Sequence, residues 1–339
     1  MTAEQTEFAP AATQRNLAER TAVTSSFAQR WGASGWLTDL GGPVYWVEFA
    51  GGAGAGESQH NEHRLPPIVF VHGLGGSHLN WGLVGSALAQ GRRAVALDLR
   101  GFGLTEGTGR ACSVTANARL LNRFLREVVG EPAVLVGNSM GGMISALQAA
   151  EHPDTVAGVV LVDPALPAVS RKLDVTVALT FLVYGVPGLG ELYLRRARTR
   201  TGVETQVRQV VDLCFADFSR ADPHMMEAVA ALVRHRDGFT GTEAAFLTAA
   251  RSLIRLLAAP RKFRGVTSAI TAPVLLVHGE KDRLVSCAAA RKAAAANPRW
   301  QTCYLEGVGH TPQLEVPGRF VEVVNTWLAK QPGLATPVR

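Results

Sequence analysis

The sequence predicts an α/β protein, a mostly parallel sheet of about eight strands flanked by helices and carrying one large helical insertion. Three observations lead there. The runs Ile68–Val71, Ala94–Leu97, Val156–Val162 and Val274–Val277 are apolar almost throughout, as strands buried on both faces are. Segments with helical spacing separate them, so successive strands can run parallel through crossover helices. The alternation then lapses over residues 165–268 and resumes afterwards.

At 339 residues, with 47% hydrophobic and 18% charged residues, the chain suits one large core plus an insertion. The expected division is an N-terminal extension over 1–35, a core over 36–164 and 269–330, a helical cap over 165–268 and a tail over 331–339. The first thirty residues are polar and lack the basic start and apolar run of a secretory signal, so the extension reads as loose or helical. Cys112, Cys214, Cys287 and Cys303 show no C-x-x-C pair and no interleaved histidine, which indicates neither zinc nor disulfides and suits a reducing, cytoplasmic setting.

Taken in order, Trp36–Leu40, the turn Gly41-Gly42-Pro43 and Val44–Phe49 read as an antiparallel hairpin. Gly51–His63 is a polar, glycine-rich loop. The strand Ile68–Val71 ends in His72-Gly73-Leu74-Gly75-Gly76, with a helix starting near Asn80. Ala94–Leu97 leads into Asp98-Leu99-Arg100-Gly101-Phe102-Gly103 and a helical region from Ser113 to Val129. A strand from Ala133 stops at Gly137, and Met140–Glu151 takes up helical spacing. After the insertion come Val274–Val277, Thr302–Leu305 and a closing helix over Glu315–Leu328.

Between the Ala133 strand and its helix, Gly137-Asn138-Ser139-Met140-Gly141 fits G-x-S-x-G, in which the serine sits on a strained turn and projects from it. A serine hydroxyl is a weak nucleophile at neutral pH. It needs a histidine base, and the histidine needs an acid to fix its tautomer. Asp282, in Val277-His278-Gly279-Glu280-Lys281-Asp282, and His310, in Gly307-Val308-Gly309-His310-Thr311-Pro312, each follow a late strand. Loops beyond the carboxyl ends of a parallel sheet open on one edge, so Ser139, Asp282 and His310 can converge. The oxyanion that forms on attack needs backbone N–H donors. Met140 supplies one and Leu74, among its glycines, the other, each being worth roughly 2.7–4 kcal/mol of barrier.

These four motifs in this order resemble the alpha/beta-hydrolase family, and more narrowly its esterase- and lipase-like serine hydrolases with a helical cap. The resemblance implies a nucleophile at Ser139, a base at His310, an acid at Asp282, oxyanion donors at Leu74 and Met140, and no metal or organic cofactor. Some members carry the acid one strand earlier, which makes Asp163 the alternative. Asp98 and Arg100 read as turn and loop structure, and His72 and His78 as structural or pocket-lining. His152, His224, His235 and His278 have no motif around them and read as surface or packing residues. Cys112 and Cys287 lie off the elbow and read as inert.

A serine nucleophile disfavours the epoxide hydrolases and haloalkane dehalogenases, whose alkyl-enzyme ester requires a carboxylate there. The expected reaction is hydrolysis of a carboxylic ester with a hydrophobic acyl or alcohol part. The alternatives are a carbon–carbon bond hydrolase, although that class usually places tryptophan where Thr311 stands, or a cofactor-free haloperoxidase or perhydrolase. A non-catalytic binding module usually lacks a triad member, and none is missing here.

Val175–Leu194 is nearly long enough to span a bilayer, but Pro187, three glycines and Glu191 interrupt it inside the fold. It reads as an apolar wall of the cap, with Phe181 and Leu182 along an acyl passage or in plain packing. Residues 165–268 hold fifteen Lys and Arg against nine Asp and Glu, which accounts for the whole net charge of +6. Arg195, Arg196, Arg198 and Arg200 follow the apolar stretch and suit either an anionic membrane surface or a solvated face. Nucleic acid is not indicated, because no binding motif or aromatic interleaving accompanies the basic residues.

Overall fold

The computed structural model describes residues 17–51, 65–107, 109–167 and 175–335. The loop read at Gly51–His63 lies outside the described residues except for Gly51.

β1 (Arg20–Val23) corrects the reading of residues 1–35 as loose or helical and makes the sheet nine-stranded rather than eight-stranded. Three of its four residues are exposed, so it carries no apolar pattern by which it could be recognised. It exists by pairing antiparallel with β2 (Ala33–Asp39), after the short α1 (Ser26–Gln29). Asp39 then turns the chain. Its carboxylate accepts the Gly41 and Gly42 amides, each at 2.8 Å, and β3 (Pro43–Phe49) returns antiparallel, as the hairpin reading expects.

The parallel part comprises β4 (Ile68–Val71), β5 (Ala94–Leu97), β6 (Ala133–Asn138), β7 (Val156–Val162), β8 (Val274–Gly279) and β9 (Gln301–Leu305). Across the sheet the order is β1-β2-β3-β5-β4-β6-β7-β8-β9. Side chains alternate across it. Val69, Val71, Leu135 and Leu276 pack on one face against α3 (Val114–Phe124) and α4 (Met140–Glu151). Ile68, Phe70, Val136 and Val277 face the other way, towards α2 (Gly85–Leu88) and α13 (Pro317–Ala329). Burial on both faces explains strands that are apolar at every position. The expected closing helix is α13 (Pro317–Ala329); Glu315, where the sequence reading places its start, instead ends a separate turn, α12 (Pro312–Glu315), because Pro317 lacks the amide needed to join the two. α11 (Cys287–Ala296) crosses from β8 to β9.

Between β7 and β8 the described residues hold only helices: α5 (Val175–Gly185), α6 (Leu189–Arg200), α7 (Val203–Cys214), α8 (Pro223–Arg236), α9 (Thr242–Leu257) and α10 (Pro260–Ala269). Pro187 and Gly188 split the long apolar stretch into α5 and α6. α9 joins this insertion to the core, burying Ala245, Leu247, Ala249, Ala250 and Leu253. Among the described residues no helix is long and apolar enough to cross a membrane.

Candidate active site

Ser139 stands at the end of β6 with φ 54° and ψ −117°, a conformation that a side-chain-bearing residue rarely adopts. The turn is held from several directions. The Ser139 amide donates to the Val162 carbonyl at 3.0 Å, and its own carbonyl accepts the Ala165 and Met143 amides at 2.9 and 3.1 Å. The flanking glycines have no room for a Cβ: one on Gly137 would meet the Gly141 carbonyl, and one on Gly141 the Val71 carbonyl. Met140 is the first residue of α4, where the backbone amide has no partner within the helix.

His310 Nδ1 donates to Asp282 Oδ2 at 2.7 Å. Asp282 is an acceptor, so this bond leaves His310 Nε2 with a lone pair. The other carboxylate oxygen accepts the Leu284 and Val285 amides at 2.7 and 3.0 Å. Burial alone would raise the Asp282 pKa, but electrostatic interaction with the His310 ring and these hydrogen bonds hold it below the ordinary value. Asn138 ties this pair to the elbow. Its side-chain amide donates to both the His310 and Val162 carbonyls at 3.1 Å. The residue before Ser139 therefore sets the height of the histidine loop.

Glu315 anchors the same loop from outside. Its side chain is wholly buried and accepts the Gly309 amide at 2.7 Å and the Ala216 and Asp217 amides at 3.1 Å. Arg220 pairs with it at 3.1 Å, and the His310 amide donates to the Cys214 carbonyl at 2.6 Å. The histidine loop is thus fastened to the end of α7. Sequence reasoning places Glu315 only at the start of a helix and gives Asn138 no role, since nothing in one sequence marks a glutamate as buried.

Asp163, the alternative acid, does not hold His310. It is buried just after β7 with φ 41°, and its Oδ1 accepts the Gly279 amide at 2.8 Å. Asp163, His278 and Asp282 bring one ligand-type atom each within 4.8 Å of one another. His278 Nε2 faces the Val285 carbonyl at 3.0 Å, which makes it the donor and leaves a bare Nδ1 lone pair 3.5 Å from Asp163 Oδ1. Burial and the negative charge of Asp282 push the Asp163 carboxyl well above its ordinary pKa. His278, which the sequence gives only a surface or packing role, is a buried neighbour of the acid, with burial lowering its own pKa.

The loop after β4 completes the edge. A Cβ on Gly73 would lie 3.1 Å from the Ser139 Cβ, so Leu74 follows directly beside the elbow. His72 holds the loop, with Nδ1 donating to the Gly73 carbonyl at 2.7 Å and Nε2 accepting the Leu99 amide at 3.0 Å. Burial lowers its pKa to about 4, consistent with a neutral ring. Asp98 accepts the His78 and Leu104 amides at 2.6 and 2.7 Å and the His78 ring at 2.9 Å. Arg100 bonds the Leu40 and Gly41 carbonyls of the first hairpin. These are the structural roles expected of both.

A cavity of about 520 Å³ lies between this loop and the insertion. Gly75 and Gly76 line it on the core side, with Phe246 of α9, Val229 and Leu232 of α8, and Leu194 of α6 opposite. From Val175–Leu194 only Leu194 lines it among the described residues; Phe181 and Leu182, along which an acyl passage or plain packing is expected, do not. Leu182 is 64% exposed. Phe181 packs edge-on to Tyr184, and Tyr184 to Phe246, at 6.1 and 5.3 Å between ring centres. α5 is apolar on all sides, so its sequence could not show which side faces inward.

A 2-hydroxymuconate semialdehyde hydrolase of Pseudomonas is 26% identical over 288 residues, covering 82% of this chain and 92% of that one. An sn-1-specific diacylglycerol lipase of Mus musculus is 41% identical over 101 residues, 29% of this chain and 33% of that one. The crystal structure of Cfl2 from Burkholderia cenocepacia superposes with a TM-score of 0.72 at 18% identity, covering 91% of this chain and 99% of that one. The family model described as alpha/beta hydrolase fold matches residues 66–317, and the chain belongs to that family.

Proposed function

We propose that the protein is a serine hydrolase that cleaves carboxylic esters with a hydrophobic acyl or alcohol part. The observation that carries the reading is the 2.7 Å His310–Asp282 hydrogen bond, tied through Asn138 to the strained turn that bears Ser139. His310 Nε2 takes the Ser139 proton as the hydroxyl oxygen attacks the ester carbonyl. The Leu74 and Met140 amides stabilise the tetrahedral oxyanion. The protonated His310 gives its proton to the departing alkoxide, leaving an acyl-enzyme and a free alcohol, and His310 then activates a water that releases the acid. Asp282 keeps the ring oriented and stabilises its charged form. These steps use the chain's own groups alone. The apolar side chains around the cavity support a hydrophobic substrate portion, and the four unbridged cysteines suit a cytoplasmic setting.

The similarity to the 2-hydroxymuconate semialdehyde hydrolase favours a second reading, carbon–carbon bond hydrolysis by the same residues. p-Nitrophenyl esters of increasing acyl length, assayed beside 2-hydroxymuconate semialdehyde, separate the two. Ester turnover is expected to dominate, to fall by on the order of 10⁵-fold in Ser139→Ala, and to be blocked by a fluorophosphonate on Ser139. A Ser139→Ala variant within tenfold of wild type would refute the serine mechanism. Semialdehyde turnover exceeding that of every ester would move the protein to the second reading.

A further inference from the structure

The insertion presents an apolar face that nothing else in the described structure covers. On α5, Leu179 is 56% and Leu182 64% exposed, and Val186 follows at 43%. On α6, Leu189, Leu192 and Tyr193 are 46%, 44% and 44% exposed. Isolated apolar residues on a surface are ordinary, but six large ones on two consecutive helices that pack together and the turn between them form a patch.

Charge continues the same face. At 100° per residue, Leu189, Leu192, Tyr193, Arg196 and Arg200 project from one side of α6, with apolar groups in its first half and guanidinium groups in its second. Arg196 and Arg200 are exposed, and neither pairs with an acidic side chain among the described residues. The other side of α6 turns inward. Leu194 and Ala197 line the cavity, while Glu191 is pinned by Arg251 at 3.0 Å. One helix is therefore both a wall of the cavity and the centre of the exposed face.

We propose that the outer face of α5 and α6 docks on the surface of an anionic phospholipid bilayer. The apolar half enters the headgroup–acyl boundary, and Arg196 and Arg200 meet lipid phosphates. α5 has 11 residues, which extends roughly 16 Å and cannot cross a hydrocarbon core of about 30 Å, so the helices lie on the membrane. A docked protein holds the cavity next to the lipid, whose own esters, or amphiphilic esters dissolved in it, become the accessible substrates. That last step rests on the ester-hydrolase reading; the docking does not.

The test is co-sedimentation of the full chain with vesicles of phosphatidylcholine alone or with one third phosphatidylglycerol. Wild type is expected to pellet with the anionic vesicles, and less so in about 0.5 M salt, where charges are screened within a few ångströms. Arg196→Gln with Arg200→Gln should weaken anionic binding by about fivefold per arginine. Leu182→Asp with Leu192→Asp should abolish binding to both compositions. Hydrolysis of a water-soluble acetate ester should remain at the wild-type level in both variants, which shows that they fold. Wild type remaining in the supernatant with anionic vesicles overturns the proposal, as does pelleting that neither variant changes. A dimer in light scattering that Leu182→Asp dissociates, without vesicle binding, assigns the face to a second copy instead and also overturns it. Vesicle binding without turnover of any ester leaves the docking intact and sinks only the catalytic reading.

Discussion

Ser139 and His310 receive their geometry from neighbours that do no chemistry, and the two buried aspartates show how position divides one residue type into two roles. Asp282 keeps its charge because His310 and two backbone amides face it, whereas Asp163 faces Gly279, His278 and the negative Asp282. Asp282→Asn should lower kcat/KM by on the order of 10⁴-fold, since an amide can hold the wrong histidine tautomer. Asp163→Asn should stay within about tenfold of wild type, and a larger loss at Asp163 than at Asp282 reverses the assignment. The same contrast has a stability signature. A carboxyl with a raised folded-state pKa contributes its stability below the unfolded value of about 3.9 and loses it as the pH climbs towards the folded value. Asp163→Asn escapes that loss, so its melting temperature relative to wild type should rise as the pH climbs above about 4. A relative melting temperature that falls over that range would mean that Asp163 is ionised in the folded protein. The Ser139, Asp282 and His310 positions are legible in the sequence because each lies shortly after a segment that reads as a strand, apolar throughout for Ser139 and Asp282 and mixed for His310. The Asp163–His278–Asp282 cluster is not, because its meaning depends on β7 and β8 being adjacent, a pairing that the intervening insertion hides.

Among the elements, those that bury an apolar face are readable from the sequence and those held by polar contacts are not. β4 to β9 and α4 follow from composition alone. β1 does not, since Arg20-Thr21-Ala22-Val23 is mostly exposed and owes its conformation to hydrogen bonds with β2. The loop between β9 and α12 is a second case. It has little apolar content, and Glu315 holds it by gathering the Gly309, Ala216 and Asp217 amides and the Arg220 guanidinium. Glu315→Ala leaves three amides and a guanidinium without their acceptor, so it should cost about 3–5 kcal/mol in urea unfolding. Because His310 sits on this loop, kcat on a soluble ester should fall as well. Glu315→Gln keeps one acceptor oxygen and should recover part of both losses. Loss of stability with unchanged kcat would show that the histidine loop holds its height through Asn138 alone.

At the scale of the whole molecule, the insertion is visible in the sequence as a lapse in strand–helix alternation, but the direction its helices face is not. Only packing decides it: Tyr184 against Phe246 and Arg251 on Glu191 turn α5 and α6 so that Leu182 points outward and Leu194 inward. The cavity therefore lies where α8, α9 and the inner side of α6 meet the loop bearing Gly75, not along the apolar stretch itself, and under the ester-hydrolase proposal it is the place to test for control of substrate size. Val229 is part of that wall and only partly buried, packing against the Met225, Ala228 and Leu232 cluster, so a larger side chain there extends into the cavity. Val229→Trp should leave kcat/KM for p-nitrophenyl acetate within about threefold. It should lower the value for the decanoate at least tenfold, because each methylene excluded from an apolar site forfeits about 0.8 kcal/mol. Only two excluded methylenes are needed for a change of that size. Equal losses on acetate and decanoate would mean that the acyl chain leaves Ser139 by another route and that this cavity receives the alcohol portion instead.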